Sequence, residues 1–275
     1  MGSANSREIP ATVVFDLDET LIYERGSTEA ALAVTLADAA AQRGFEASKA
    51  GDAVLAAAGA LWRAGPQFDY CRRIGIASWE GLWASFAEGD DAETLALRAF
   101  APAYRRAAWR RGLLAVGCAD RDLAAELSER FVWERSIRQV PFPEVLAALM
   151  ALRASGRRLL LLTNGDRDLQ RRKAVGSGLL PLFDHVVISG EVGSGKPEAR
   201  VFLHTLGLVG ARPEGAVMVG DSIERDVRGA LNAGLGAVWV DRGGTWSTLT
   251  GGEAETLPPG AQRVMALDAL VAWLR

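Results

Sequence analysis

The chain is poor in the residues that most often announce a function by themselves: cysteine, histidine and lysine. Its two cysteines, Cys71 and Cys118, stand far apart with no CxxC spacing, which excludes a disulfide scaffold and a thiolate zinc site. They fit buried thiols in a reducing compartment. His185 and His204 have no metal-ligand spacing and read as structural. Lysine is confined to Lys49, Lys173 and Lys196, against a large excess of arginine, so each lysine invites a question. The net charge of −3 lacks the basic excess of a nucleic-acid binder. No apolar run approaches the ~20 residues of a membrane-spanning helix, and no signal-peptide pattern opens the chain. Met1 to Ser6 formally matches an N-myristoylation pattern, but a short leader over 1–9 explains it more simply. These absences predict a soluble cytoplasmic protein that binds neither nucleic acid nor membrane, and they leave its oligomeric state open.

What is present is an ordinary globular composition, 49% hydrophobic and 24% charged, over 275 residues. Five short apolar runs stand out: 12–15, 159–162, 185–188, 216–219 and 237–240. Continuous runs of this length suit strands covered on both faces, as in a parallel sheet. Helical patterns lie between the later ones, from Pro143 to Ser155 before Gly156 and from Glu224 to Ala233 before Gly234. This alternation predicts a Rossmann-like three-layer α/β core over 10–23 and 139–275. The stretch 24–138 is rich in Ala, Leu, Arg and Trp, has helical periodicity and shows no strand pattern. It reads as an all-helical cap inserted after the first strand, with hinges near Ile22–Arg25 and Ile137–Pro141. Its tryptophans, Trp62, Trp79, Trp83, Trp109 and Trp133, read as core residues rather than as a substrate platform.

In an open parallel sheet, ligands bind beyond the carboxyl ends of the strands. The first strand ends in Asp16-Leu17-Asp18-Glu19-Thr20, the second in Thr163-Asn164-Gly165, and the fourth in Gly220-Asp221-Ser222 with Asp226 close behind. Lys196-Pro197 follows the third. Carboxylates, an ammonium and a hydroxyl would therefore converge on one edge. Clustered carboxylates repel and need a cation, and an all-oxygen set suits Mg²⁺. A carboxylate can attack phosphorus, dividing one difficult hydrolysis into two easier steps. A metal and a lysine would neutralise the transferring phosphoryl group.

In these four segments the sequence resembles the haloacid dehalogenase superfamily, with a C1-type helical cap. The core stretches Leu159–Gln170 and Val217–Leu235 and the Lys196-Pro197 loop are most similar to N-acylneuraminate-9-phosphatases and related nucleotidases. The resemblance implies a Mg²⁺-dependent phosphatase acting on a small phosphorylated metabolite. It implies Asp16 as nucleophile and metal ligand, and Asp18 as general acid and base whose backbone carbonyl also binds metal. Leu17, Thr163 and Asn164 would hold phosphate oxygens, with Lys196 as countercharge. Asp221 would complete the protein's metal ligands. Asp226 would support the metal shell or Lys196, although a carboxylate in a helix's first turn also serves the helix dipole. Like charge would keep Asp18 protonated while Mg²⁺ and Lys196 ionise Asp16.

Several competing readings are weaker. Gly190 to Lys196 has the spacing of a P-loop, but Pro197 stands where a metal-binding Ser or Thr is required. Arg105 to Arg111 reads as a solvated helix face on an acidic protein. A nucleoside 5′-monophosphatase shares the proposed chemistry. Asp18 argues against a dehalogenase, and the cap offers a mutase no Lys or His except Lys49. A non-catalytic binding module would not need every one of these residue types.

Overall fold

The computed structural model describes residues 10–243 and 256–274, so the leader over 1–9 lies outside the described residues. Six strands form one parallel sheet in the order β3-β2-β1-β4-β5-β6. They are β1 Thr12–Phe15, β2 Arg158–Thr163, β3 His185–Ile188, β4 Ala216–Gly220, β5 Gly236–Val240 and β6 Gln262–Val264. The five apolar runs are the first five strands. The sixth carries no apolar run, since it is three residues long at the sheet edge with Arg263 exposed at its centre.

Side chains alternate between the faces of the sheet, as the two-residue period of a strand requires. Val13, Phe15, Leu159, Leu161, Val217 and Val219 pack on one face with helices α7 (Val145–Ala154) and α12 (Leu267–Trp273). Val14, Leu160, Leu162 and Met218 pack on the other with α10 (Ala199–Gly207) and α11 (Gly229–Asn232). Burial on both faces explains why these strands read as unbroken apolar runs. The core is the three-layer α/β arrangement expected.

Between β1 and β2 lie six helices: α1 Glu24–Arg43, α2 Ala47–Arg63, α3 Phe68–Ile74, α4 Ser78–Gly81, α5 Ala92–Ala115 and α6 Arg121–Ser136. They enclose a separate apolar cluster containing Trp62, Trp83 and Trp109. Two other tryptophans depart from the core reading. Trp133 is 60% exposed, and Trp79 lines the site described below. The arginine run also divides: Arg105 turns inward to donate to the carbonyls of Gly81 and Ala84, while Arg106, Arg110 and Arg111 stay exposed.

The two connections to the insertion run side by side. Tyr23 N–H donates to the Val140 carbonyl at 2.9 Å, and Phe142 N–H to that of Leu21 at 3.0 Å. Helix α8 (Arg167–Gly176), which follows β2, reaches the insertion directly. Its Leu169 belongs to the insertion's apolar cluster. Its Asp168 accepts from the Ser85 hydroxyl at 2.5 Å and the Ala87 N–H at 3.1 Å, and Arg167 pairs with Asp91 at 2.7 Å.

Candidate active site

The chain runs from β1 to β3 in one direction across the sheet, then crosses to β4 on the other side of β1. The crevice between the carboxyl ends of β1 and β4 is therefore the topological switch point, where such sheets bind ligands. Asp16 leaves β1 there, and Asp221 leaves β4. Strand pairing fixes their relative height, because Phe15 is level with Val219 and the Asp16 N–H donates to the Val219 carbonyl at 2.9 Å.

Lys196 is buried between two carboxylates, with Nζ 2.6 Å from Asp16 Oδ1 and 2.6 Å from Asp226 Oδ1. Asp226 also accepts the Ser222 N–H at 2.9 Å, which ties it across the entry to its own helix. That helix begins with a wide π-type turn over Ile223–Arg228 before α11, a departure from the regular helix expected over 224–233. Such turns recur at functional sites. Gly220 makes the approach possible, since a Cβ there would lie 2.3 Å from Asp226 Cγ. The Lys196 side chain points to carboxylates, an arrangement unlike the phosphate cradle suggested by the P-loop spacing.

Carboxylate oxygens of Asp16, Asp221 and Asp226 all lie within 4.8 Å of one another. Burial raises Asp16 to about 6; Lys196 pulls it down, while Asp226 and Asp18 push it up. Burial also raises Asp221 well above the usual carboxylate range, and Asp16 and Asp226 add to the effect. Converging buried oxygens whose charges oppose one another fit a hard divalent cation, which would relieve both penalties. Arg225 faces the same cluster; leaving water opposes its charge, but Asp221, Asp226 and Asp16 together hold its guanidinium above its usual range. The Trp239 indole N–H holds the Asp221 carbonyl at 2.8 Å.

The remaining expected residues reach the site in unequal ways. Thr163 is buried at the end of β2; its hydroxyl has no hydrogen-bond partner, and it does not line the cleft. Asn164 turns its side chain toward Lys196. Nδ2 donates to the Lys196 carbonyl at 2.9 Å, and Oδ1 accepts the Lys196 N–H at 2.8 Å. That amide therefore positions Lys196. The Leu17 side chain is fully buried in the core, so it can offer only backbone.

Asp18 has surroundings that the sequence did not suggest. Lys173 Nζ lies 3.0 Å from each of its carboxylate oxygens, and the Gln170 amide donates to Oδ2 at 2.9 Å. The Asp18 carboxylate therefore meets two donors of α8, an ammonium and an amide. Lys173 also reaches Glu80 at 2.7 Å and Glu24 at 3.2 Å. Burial opposes its charge, but Asp18, Glu24 and Glu80 together hold the ammonium above its usual range. Burial raises Glu80 to about 7 despite Lys173. The only sequence signal for Lys173 was the scarcity of lysine. Gly75, Ala77, Trp79 and Glu80 of the insertion, with Glu24, Glu19 and Arg225, complete the walls of the cleft.

Cys71, His185, His204 and Lys49 do not line the cleft. Burial pushes the Cys71 thiol up to about 12, which makes it a poor nucleophile. His185 and His204 are exposed, and Lys49 pairs with Glu46 at the surface at 2.6 Å. Among the described residues, no helix is long and apolar enough to cross a membrane.

The chain is similar to known proteins along most of its length. The family described as haloacid dehalogenase-like hydrolase matches residues 10–234. The chain is 43% identical to a phosphoserine phosphatase of Thermus thermophilus, over 84% of this chain and 88% of that protein. It is 40% identical to the N-acylneuraminate-9-phosphatase of Homo sapiens over 46% of this chain, a match spanning about half, 52%, of that relative. Among solved structures, the HAD-hydrolase YfnB from Bacillus subtilis bound to magnesium superposes with a TM-score of 0.60. The superposition covers 96% of this chain and 98% of that one at 20% identity, a likeness of fold alone.

Proposed function

The chain belongs to the haloacid dehalogenase-like hydrolases, and from that premise we propose that it hydrolyses small phosphomonoesters in a Mg²⁺-dependent reaction at Asp16. The observation that carries this reading is the buried Asp16 carboxylate at the switch point, 2.6 Å from Lys196 and grouped with Asp221 and Asp226. Asp16 attacks phosphorus, the bond to the leaving oxygen breaks, and Asp18 gives that oxygen its proton. Asp18 then takes a proton from water as the water attacks the aspartyl-phosphate and releases Asp16. Lys196 and the Thr163 hydroxyl neutralise and hold the phosphoryl oxygens. Asp16, Asp221 and the Asp18 carbonyl would hold Mg²⁺, with Asp226 braced beside them against Lys196. When bound, the metal supplies charge neutralisation to the phosphoryl group. The insertion acts as a cap, closing the cleft with Trp79 and its neighbours.

Phosphoserine is the first substrate to test, supported by the relative that matches along most of its length. The cleft walls also carry both charge signs, Glu19 and Glu24 on one hand and Arg225 on the other, which suits a zwitterionic leaving group. Sugar phosphates come next, since the likeness to the acylneuraminate phosphatase spans about half of each chain.

The test is phosphate release from phosphoserine, sugar phosphates, nucleoside monophosphates and an aryl phosphate, with Mg²⁺ or chelator, beside Asp16→Asn. Release requiring both metal and Asp16 is expected. Release that persists in Asp16→Asn would overturn the assignment.

A further inference from the structure

We infer that Lys173 is a positioning residue for Asp18, holding its carboxylate in register with the cap. The inference rests on the role proposed above for Asp18. Lys173 lies on α8 and is fully buried. Its ammonium spans three elements, with Asp18 of the β1 loop at 3.0 Å to both oxygens, Glu80 of α4 at 2.7 Å and Glu24 of α1 at 3.2 Å. Gln170, one turn earlier on the same helix, reinforces the link by donating to Asp18 Oδ2 at 2.9 Å and to the Asn164 carbonyl at 2.6 Å. Arg135 of α6 pairs with Glu24 from the cap side. The Glu80 Oε2 atom accepts the Ala77 N–H at 2.8 Å, which joins the cluster to the loop that lines the cleft.

A buried ammonium touching three carboxylates resists displacement, because moving any one of them leaves charge unpaired away from water. Asp18 is thereby held at two oxygens by a group that is itself anchored to two points of the cap. With Glu80 and Glu24 seated, the carboxylate is aimed. If the cap shifts, Lys173 shifts with its partners and Asp18 loses its aim. The arrangement makes proton delivery to the leaving oxygen depend on cap seating, without any contact between Lys173 and substrate.

The test uses leaving-group dependence in kcat/KM, which reports the steps through transfer of phosphoryl to Asp16. An aryl phosphate with an acidic phenol needs little help from Asp18, whereas an alkyl phosphate such as phosphoserine needs a proton. Lys173→Met should lower kcat/KM for the alkyl phosphate by ~10²-fold and that for the aryl phosphate by less than ~3-fold, the magnitude set by general acid catalysis. Glu80→Gln, which keeps the lysine and is less disruptive to folding, should show the same asymmetry at ~10-fold. A purely structural role would lower both substrates together, and equal losses in Glu80→Gln would overturn the inference, as would no loss. Asp18→Asn is run alongside. If it retains alkyl phosphate hydrolysis, the assignment of Asp18 itself fails. If it loses that activity while both other variants keep it, only the role of Lys173 fails.

Discussion

In the core, the residues brought to the cleft leave the carboxyl ends of buried strands or the loops just after them. In the insertion, they come from a loop and a one-turn helix at 75–80, together with the first turn of α1. The sheet register sets the height of Asp16 against Asp221 to within the tolerance of a hydrogen-bond ladder. Trp79 sits instead on the one-turn α4, which packs against α2 and α5. The contrast separates two tasks. In the proposed reaction the core holds a reactive group and its countercharges, and strand ends suit that task because regular elements position side chains more precisely than loops do. In that reaction the insertion meets the leaving group, where variation in loop and short helix would change preference without disturbing the sheet.

If that division is right, variants in the two regions should differ in kind as well as in size. The largest effect among the supporting groups is expected at Lys196. Lys196→Met removes the countercharge between Asp16 and Asp226, and kcat should fall by ~10²–10³-fold on every substrate alike. Gly220→Ala tests the same region through the backbone. Its new methyl would collide with Asp226, so a loss of ~10-fold in kcat is expected with ~1–3 kcal/mol of destabilisation in a denaturant melt. On the insertion side, Trp79→Ala should change KM by ~10-fold for a bulky or charged leaving group. It should leave kcat for a small aryl phosphate within a factor of ~3. A uniform loss across substrates from Trp79→Ala would erase the distinction between the regions.

The smallest expected effect concerns pH. Burial raises Asp16 to about 6 and Glu80 to about 7, so the folded protein binds these protons more tightly than the unfolded chain. Their contribution to stability is present at low pH and is lost as pH rises from ~4, the unfolded carboxylate range, through those values. A cation bound at Asp16 offsets the loss there. Mg²⁺ should therefore raise Tm by a few degrees more at about pH 7.5 than at about pH 5, measured against chelated protein. An equal rise at both values would count against the three-carboxylate site.

The same division explains what could be read from the chain before its structure. Asp16, Thr163, Lys196 and Asp221 were legible because each follows a short apolar run or its loop, and a parallel sheet gathers strand ends at one edge. Strand β6 was not legible, since a three-residue edge strand with Arg263 at its centre carries no apolar period. The wide turn at Ile223–Arg228 was hidden because it accompanies a tertiary pairing of Asp226 with Lys196 and a local bond from the Ser222 N–H, which helical propensity does not encode. Lys173 carried no signal beyond the scarcity of lysine. Only the meeting of α8 with Glu24 and Glu80 buries it, and those partners lie 149 and 93 residues away by numbering. The Asn164 side chain illustrates the same limit in miniature, since its hydrogen bonds to Lys196 join two motifs 32 residues apart.

The most direct test of the central claim is to stop turnover with acid and map the phosphorylated peptide by mass spectrometry. With Mg²⁺ and a good substrate, one phosphoryl group should appear on the peptide carrying Asp16, and it should be absent from Asp16→Asn. Steady turnover with no phosphoryl on that peptide, or with the group on another residue, would contradict the account.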